Sequence, residues 1–406
     1  MKRGAEDLKR NDLLTPEGTR DYLFKEAAAK RIISRRITNI FESFGYSDVI
    51  TPGIEFYDVF NGNERSFPQE SMYKLVDGKN RLMVLRPDST LPIARLYATR
   101  LYKEQLPLKL FYNQSIFLVN PKDSGRDDEI SQCGVEIIGG NEESMDYEAL
   151  YLGYQALQSC SNKGFRFEIG DSGIFRELIS QYDCDEQQAE LIRSGIETKN
   201  YPLLDSIFSG SENPVAMALK ALPRLFGGME VFDEAEKYFN NNIKLGAKLL
   251  HLKKICRDMA EIIPSDIIRV DLGLVHKRSY YTGIIFRGYI EGYGQPILSG
   301  GRYDNLLKEF GKDEKAIGFA VNVEAAARVL LKSFDTEELE QMTDVLIYSK
   351  NKIGVLKHCN ELCKNGLRVK ISEEESLEKA LEFAHANKIS KLDIVDEDGN
   401  VQSREV

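Results

Sequence analysis

Met72-Tyr73-Lys74-Leu75-Val76-Asp77-Gly78-Lys79-Asn80-Arg81-Leu82-Met83-Val84-Leu85 sets two short apolar runs on either side of an Asp77-Gly78 turn. Asp-Gly is favoured where a tight hairpin needs left-handed backbone, so the segment predicts two antiparallel strands with no helix between them. Further strands are expected at 108–119, 132–138, 165–170, 267–272, 280–291 and 295–299. Upstream, residues 22–44 read as an amphipathic helix, with Ala27, Ile32, Ile33, Ile37, Ile40 and Phe41 at helical spacing. Phe44-Gly45-Tyr46 then turns into Asp48-Val49-Ile50-Thr51-Pro52, where alternation and a proline predict a strand at a sheet edge. Downstream, the 89–104 stretch reads as helix from Arg95 onward.

The strands gather before residue 171 and after residue 266, and the 172–262 stretch between them carries an almost wholly helical pattern. Strands that mostly lack intervening helices indicate an antiparallel sheet, hence an α+β fold and not a doubly wound one. The helical stretch is then an insertion between two halves of the sheet. After Phe334 the pattern changes to strand–helix alternation: a strand at 344–348, a helix through Cys363, Gly366 as its C-terminal cap, a strand at 367–371, a helix over 376–387 and a strand at 392–395. The expected organisation is a core domain at 1–334, with its insertion at about 172–262, and a small C-terminal α/β domain at 341–406. The acidic 335–340 run forms the linker in this reading.

With 406 residues, 42% hydrophobic and 29% charged, the chain lies in the globular range. A net charge of −10 gives no global attraction for nucleic acid. The six cysteines show no disulfide framework. Cys359 and Cys363 have helical spacing beside His358, but without a second ligand cluster two buried thiols on a helix face are the expected arrangement, and no metal. The N-terminus lacks the apolar segment of a signal peptide, and no stretch reaches the roughly 20 apolar residues that span a bilayer. A reduced, cytoplasmic chain without membrane contact is expected.

Several segments in one consistent order over residues 14–330 carry a resemblance. They are Pro16-Glu17-Gly18-Thr19-Arg20-Asp21; Phe44-Gly45-Tyr46 with Thr51-Pro52-Gly53-Ile54-Glu55; and Leu85-Arg86-Pro87-Asp88-Ser89-Thr90. Gly125-Arg126 through Gln132-Cys133-Gly134-Val135-Glu136-Ile137-Ile138-Gly139 follows. Leu274-Val275 with Tyr280-Tyr281-Thr282-Gly283, and Gly300-Gly301-Arg302-Tyr303-Asp304 with Gly318-Phe319-Ala320, complete the set. Together they resemble histidyl-tRNA synthetase and the class II synthetases, whose antiparallel sheet flanked by helices is then the implied core. The 44–55 segment is similar to that family's dimer-interface motif.

The resemblance implies a site for free histidine in which Asp88, Gln132 and Glu136 hold the amino group beside Thr90, while Tyr280 and Tyr281 line the imidazole side. Acceptors for an ammonium and hydroxyls around an apolar wall suit that ligand chemically. On residue pattern alone, Gln132 and Glu136 equally describe the polar face of a strand and the tyrosines equally describe packing. Adenylation also needs cations to clamp ATP. The family's second-motif arginine aligns with Leu118, its third-motif arginine with Ala325 and its signature arginine with His276. The C-terminal domain is similar to a truncated anticodon-binding domain, and Glu373, Glu374, Glu375, Glu378 and Glu382 crowd its second helix, so no tRNA is expected.

A synthetase-like core with histidine-pocket residues and no ATP clamps resembles the regulatory subunits of ATP phosphoribosyltransferase. The resemblance implies no catalysis and no cofactor. It implies a homodimer within a hetero-octamer, a short-form catalytic subunit as partner, and feedback by L-histidine in the first step of histidine biosynthesis. The alternatives are a free-standing histidine sensor and a divergent, active histidyl-tRNA synthetase.

Overall fold

The computed structural model describes residues 11–62, 67–121, 125–161, 164–239, 242–275, 280–332 and 343–406. The chain forms two compact units, Met1–Phe334 and Asp335–Val406.

The first unit opens with α1 (Phe24–Ser43), β1 (Ser47–Asp48) and β2 (Ile54–Phe56). The strand expected at 48–52 is therefore split, because Thr51-Pro52-Gly53 carries the chain from one sheet to another. β3 (Lys74–Val76) and β4 (Leu82–Leu85) form the hairpin. Its left-handed residue is Asn80, with φ 60°, and the Asp77 carboxylate accepts from the amides of Lys79 and Arg81 at 2.8 and 2.9 Å. The turn thus runs from Asp77 to Arg81 and is not centred on Gly78.

Next come α2 (Thr90–Leu96), β5 (Leu108–Phe117), β6 (Glu129–Ile138), α3 (Glu142–Cys160) and β7 (Phe165–Asp171). The insertion holds α4 (Ser172–Gln181), α5 (Glu186–Glu197), α6 (Tyr201–Ile207), α7 (Pro214–Ala221), α8 (Glu230–Phe239) and α9 (Ile243–Met259). Among the described residues, β8 (Phe226–Gly227) is the one strand between these helices. β9 (Ile268–Asp271), β10 (Ile284–Ile290), β11 (Leu298–Arg302), β12 (Ala316–Asn322) and α10 (Val323–Lys332) close the unit.

The main sheet has nine strands in the order β1-β5-β6-β12-β11-β10-β7-β9-β8. It is antiparallel except for β1 against β5 and β7 against β9. Alternation along β6 sends Cys133, Val135 and Ile137 to one face and Gln132, Gly134 and Glu136 to the other. The first face is covered by α1, α3 and α10, with Phe41 of α1 against Phe111 and Phe319 at 6.0 and 5.8 Å between centroids. α1 offers this sheet Ala29, Ile33, Ile37 and Phe41, a helical stripe that is fully buried. The second face carries the site.

In the second unit, β13 (Val345–Ser349), α11 (Lys352–Lys364), β14 (Val369–Ile371), α12 (Leu377–Ala386), β15 (Lys391–Val395) and β16 (Val401–Glu405) make a four-stranded sheet in the order β14-β13-β15-β16. Gly366 ends α11 with φ 81°. Cys359 is half-buried and Cys363 exposed, so the expected pair of buried thiols is corrected: the helix turns their edge of the face outward. Among the described residues no helix is long and apolar enough to cross a membrane.

Candidate functional site

Two glycines and an alanine hollow out the second face. A side chain at Gly134 would meet the Phe319 carbonyl oxygen at 2.5 Å, and one at Gly318 would run into the Glu136 carboxylate. With Ala320 they leave a cavity of about 180 Å³ between β5, β6, β11, β12 and the Tyr280–Tyr281 segment. Asp88, Thr90, Gln132, Tyr280 and Tyr281 all line it. Glu136 lies directly beneath, 1% exposed, held by two residues that do line the cavity.

Each of these side chains is fixed by its element. Beyond β4, the buried Arg86 guanidinium donates to the Thr51, Pro52 and Ser115 carbonyls and to Gln114 Oε1, which pins the loop carrying Asp88. Asp88 Oδ1 accepts the Leu91 amide at 3.1 Å and so closes the first turn of α2. That contact starts the helix at Thr90, five residues before the expected Arg95. Thr90, its first residue, donates from Oγ1 to Glu136 Oε1 at 2.9 Å. The Tyr303 hydroxyl donates to Glu136 Oε2. Tyr280 and Tyr281 lie 4.8 Å apart between centroids, and Tyr303 meets Tyr280 edge-on at 6.0 Å and 76°.

Burial pushes the Glu136 carboxyl up to about 8, against the hydroxyls of Tyr303 and Thr90 and with a further push from Asp88. Burial and the nearby Glu136 likewise hold the Tyr303 and Tyr112 phenols well above their ordinary value, so they stay neutral donors.

Sequence reading left out Tyr112, Ser299, Tyr303 and Asn322, which also line the cavity. Asn322 stands in register with Gln132 across β12 and β6. Tyr303 lies within the Gly300–Asp304 motif. The others had no local signal, since only the pairing of distant strands brings them here.

Leu118 follows β5 half-buried, packs against the core around the cavity, and donates its amide to the Asp128 carbonyl at 2.8 Å. Ala325, 1% exposed in α10, donates its amide to Asn322 Oδ1 at 2.9 Å. Neither side chain carries charge. Beside it, Glu324 pairs with Lys30 at 2.6 Å and accepts the Ser131 amide at 2.8 Å. His276 lies outside the described residues.

A sequence model of the histidyl-tRNA synthetase family matches residues 18–326. The ATP phosphoribosyltransferase regulatory subunit of Clostridium kluyveri is 35% identical over 384 residues, covering 93% of this chain and 98% of the relative. That of Clostridium acetobutylicum is 37% identical over 395 residues, covering 93% and 94%. Among solved structures, an ATP phosphoribosyltransferase regulatory subunit/histidyl-tRNA synthetase from Bacillus halodurans superposes with a TM-score of 0.79 at 27% identity, covering 94% of this chain and 97% of that one. Sequence and fold agree: the chain belongs to the ATP phosphoribosyltransferase regulatory subunits, within the histidyl-tRNA synthetase family.

Proposed function

We propose that this chain is a non-catalytic regulatory subunit that activates a short-form ATP phosphoribosyltransferase catalytic subunit and makes it sensitive to L-histidine, in the first step of histidine biosynthesis. The observation that carries the reading is a small acidic pocket, together with neutral Leu118 and Ala325 at the positions aligned with the family's arginines. At about 180 Å³ it is smaller than the roughly 300–1,000 Å³ usual for drug-sized ligands, which suits one amino acid. Asp88, Gln132 and Glu136 with Thr90 supply acceptors for its ammonium, and Tyr280 and Tyr281 supply walls for its ring. No lysine, arginine or histidine lines the cavity among the described residues, and a triphosphate needs such cations for its clamp.

Loss of one preorganised donor typically costs about 10²–10³ in rate. Histidine-dependent ATP–pyrophosphate exchange by the purified chain should therefore stay at the blank rate. Exchange above the blank identifies a surviving synthetase and overturns the non-catalytic reading. Co-isolation with the catalytic subunit supports the partner, whereas a chain that never associates with it supports a free-standing sensor.

In this reading the chain is a homodimer within a hetero-octamer. The small sheet β2-β4-β3 supports the homodimer, because Ile54, Phe56 and Leu75 stand on one face of it at 48%, 43% and 36% exposure. A double substitution, Phe56→Glu with Leu75→Glu, should convert the dimer to monomer in sedimentation velocity. Unchanged sedimentation places the interface elsewhere.

A further inference from the structure

The pocket holds two carboxylic acids, Asp88 in its wall and Glu136 beneath Thr90 and Tyr303. Among the described residues, the other titratable groups that face Glu136 are phenols: Tyr303 on the turn after β11, Tyr112 on β5 and Tyr280 beside them. A carboxylate 1% exposed, next to a second carboxyl and with no basic side chain lining the cavity among the described residues, is costly to ionise while the pocket is empty. The Thr90 and Tyr303 hydroxyls can each accept as well as donate, so the same geometry accommodates the acid and its anion.

We propose that Glu136 is a neutral acid in the empty pocket, and that the ligand enters as a cation by displacing the Glu136 proton to solvent. The inference rests on the histidine-binding reading above. In the step, the Glu136 O–H bond breaks and the proton passes to buffer. The carboxylate left behind is balanced by the ligand's ammonium, and no covalent bond to the ligand forms. Burial, which pushes this carboxyl up to about 8, puts the exchange across neutral pH. Uptake of the ligand then strengthens as pH rises toward 8, by up to about tenfold per pH unit, because each bound ligand expels one proton. An amino acid is taken and its deaminated carboxylate analogue is refused, since only the former brings the compensating charge.

The test is isothermal titration calorimetry of L-histidine into the full chain at pH 7 in phosphate and in Tris, whose protonation enthalpies differ. The slope of apparent enthalpy against buffer enthalpy should report release of about 0.9 proton per histidine, the fraction a group titrating at about 8 holds at pH 7. Glu136→Gln should bind more weakly, at millimolar histidine if need be, with release near zero. Binding to the unsubstituted chain with no release, or undiminished release from Glu136→Gln, overturns the inference and leaves the histidine reading standing. No histidine binding in any buffer overturns both.

Discussion

Histidine affinity is expected to fall by about 10- to 100-fold when Glu136 is replaced by alanine. The carboxyl is 1% exposed and its oxygens engage Thr90 Oγ1 at 2.9 Å and the Tyr303 hydroxyl. Truncation removes the deepest acceptor of the pocket and leaves two hydroxyls without a partner. Hydrogen bonds to charged groups are worth about 1.5–3 kcal/mol, and about 1.4 kcal/mol is tenfold in affinity, which sets the range. Calorimetric titration of the folded variant measures it. An unchanged affinity at the same stoichiometry would mean that histidine acts elsewhere and that this pocket is vestigial.

Arg302→Ala is expected to lower the stability of the first unit by about 3–5 kcal/mol, the usual cost of leaving a buried ion without its partner. Arg302 is 5% exposed at the end of β11. Its guanidinium donates to Asp146 Oδ1 at 2.6 and 3.1 Å, to the Glu142 carbonyl at 2.7 Å and to Asp304 at 3.2 Å. This arginine of the Gly300–Asp304 motif therefore ties β11 to α3, and its role is architectural. The alanine variant would leave Asp146, 2% exposed, facing His251 at 3.7 Å. The neighbouring Asp146 carboxylate raises the His251 imidazole above its ordinary value, more than burial lowers it. A raised histidine contributes its stability at low pH and loses it as pH rises through its folded value. The deficit should accordingly be smaller at pH 6 than at pH 8, as read from urea midpoints. A deficit under 1 kcal/mol at both pH values would show that water replaces the guanidinium.

Much of the fold was legible because its strands obey simple rules. The 72–85 hairpin, the long strands at 108–117 and 129–138 and the helix at 24–43 follow from apolar period and turn chemistry. β12 escaped notice because Gly318 and Ala320, which make room for the pocket, also erase the apolar alternation that marks a strand. β16 escaped because all five of its residues are exposed, so nothing in Val401–Glu405 needed an apolar face. The parallel pairings of β1 with β5 and of β7 with β9 are properties of topology, with no local signature in the residues that form them.

The site divides in the same way. Asp88 and Thr90 were readable as a pair because one loop and one helix turn carry both. Glu136 was readable as a site residue, but its position under Thr90 and Tyr303 depends on the pairing of β6 with β12, which sets Gly318 directly opposite it. Tyr112 and Asn322 reach the cavity only through the register of β5, β6 and β12.

The most direct test of the regulatory reading is phosphoribosyl-ATP formation by a short-form catalytic subunit from the same organism, assayed alone, with this chain, and with this chain plus histidine. The chain should raise the rate, and histidine should suppress the raised rate. A rate indifferent to the chain, with no association between the two, would contradict that reading.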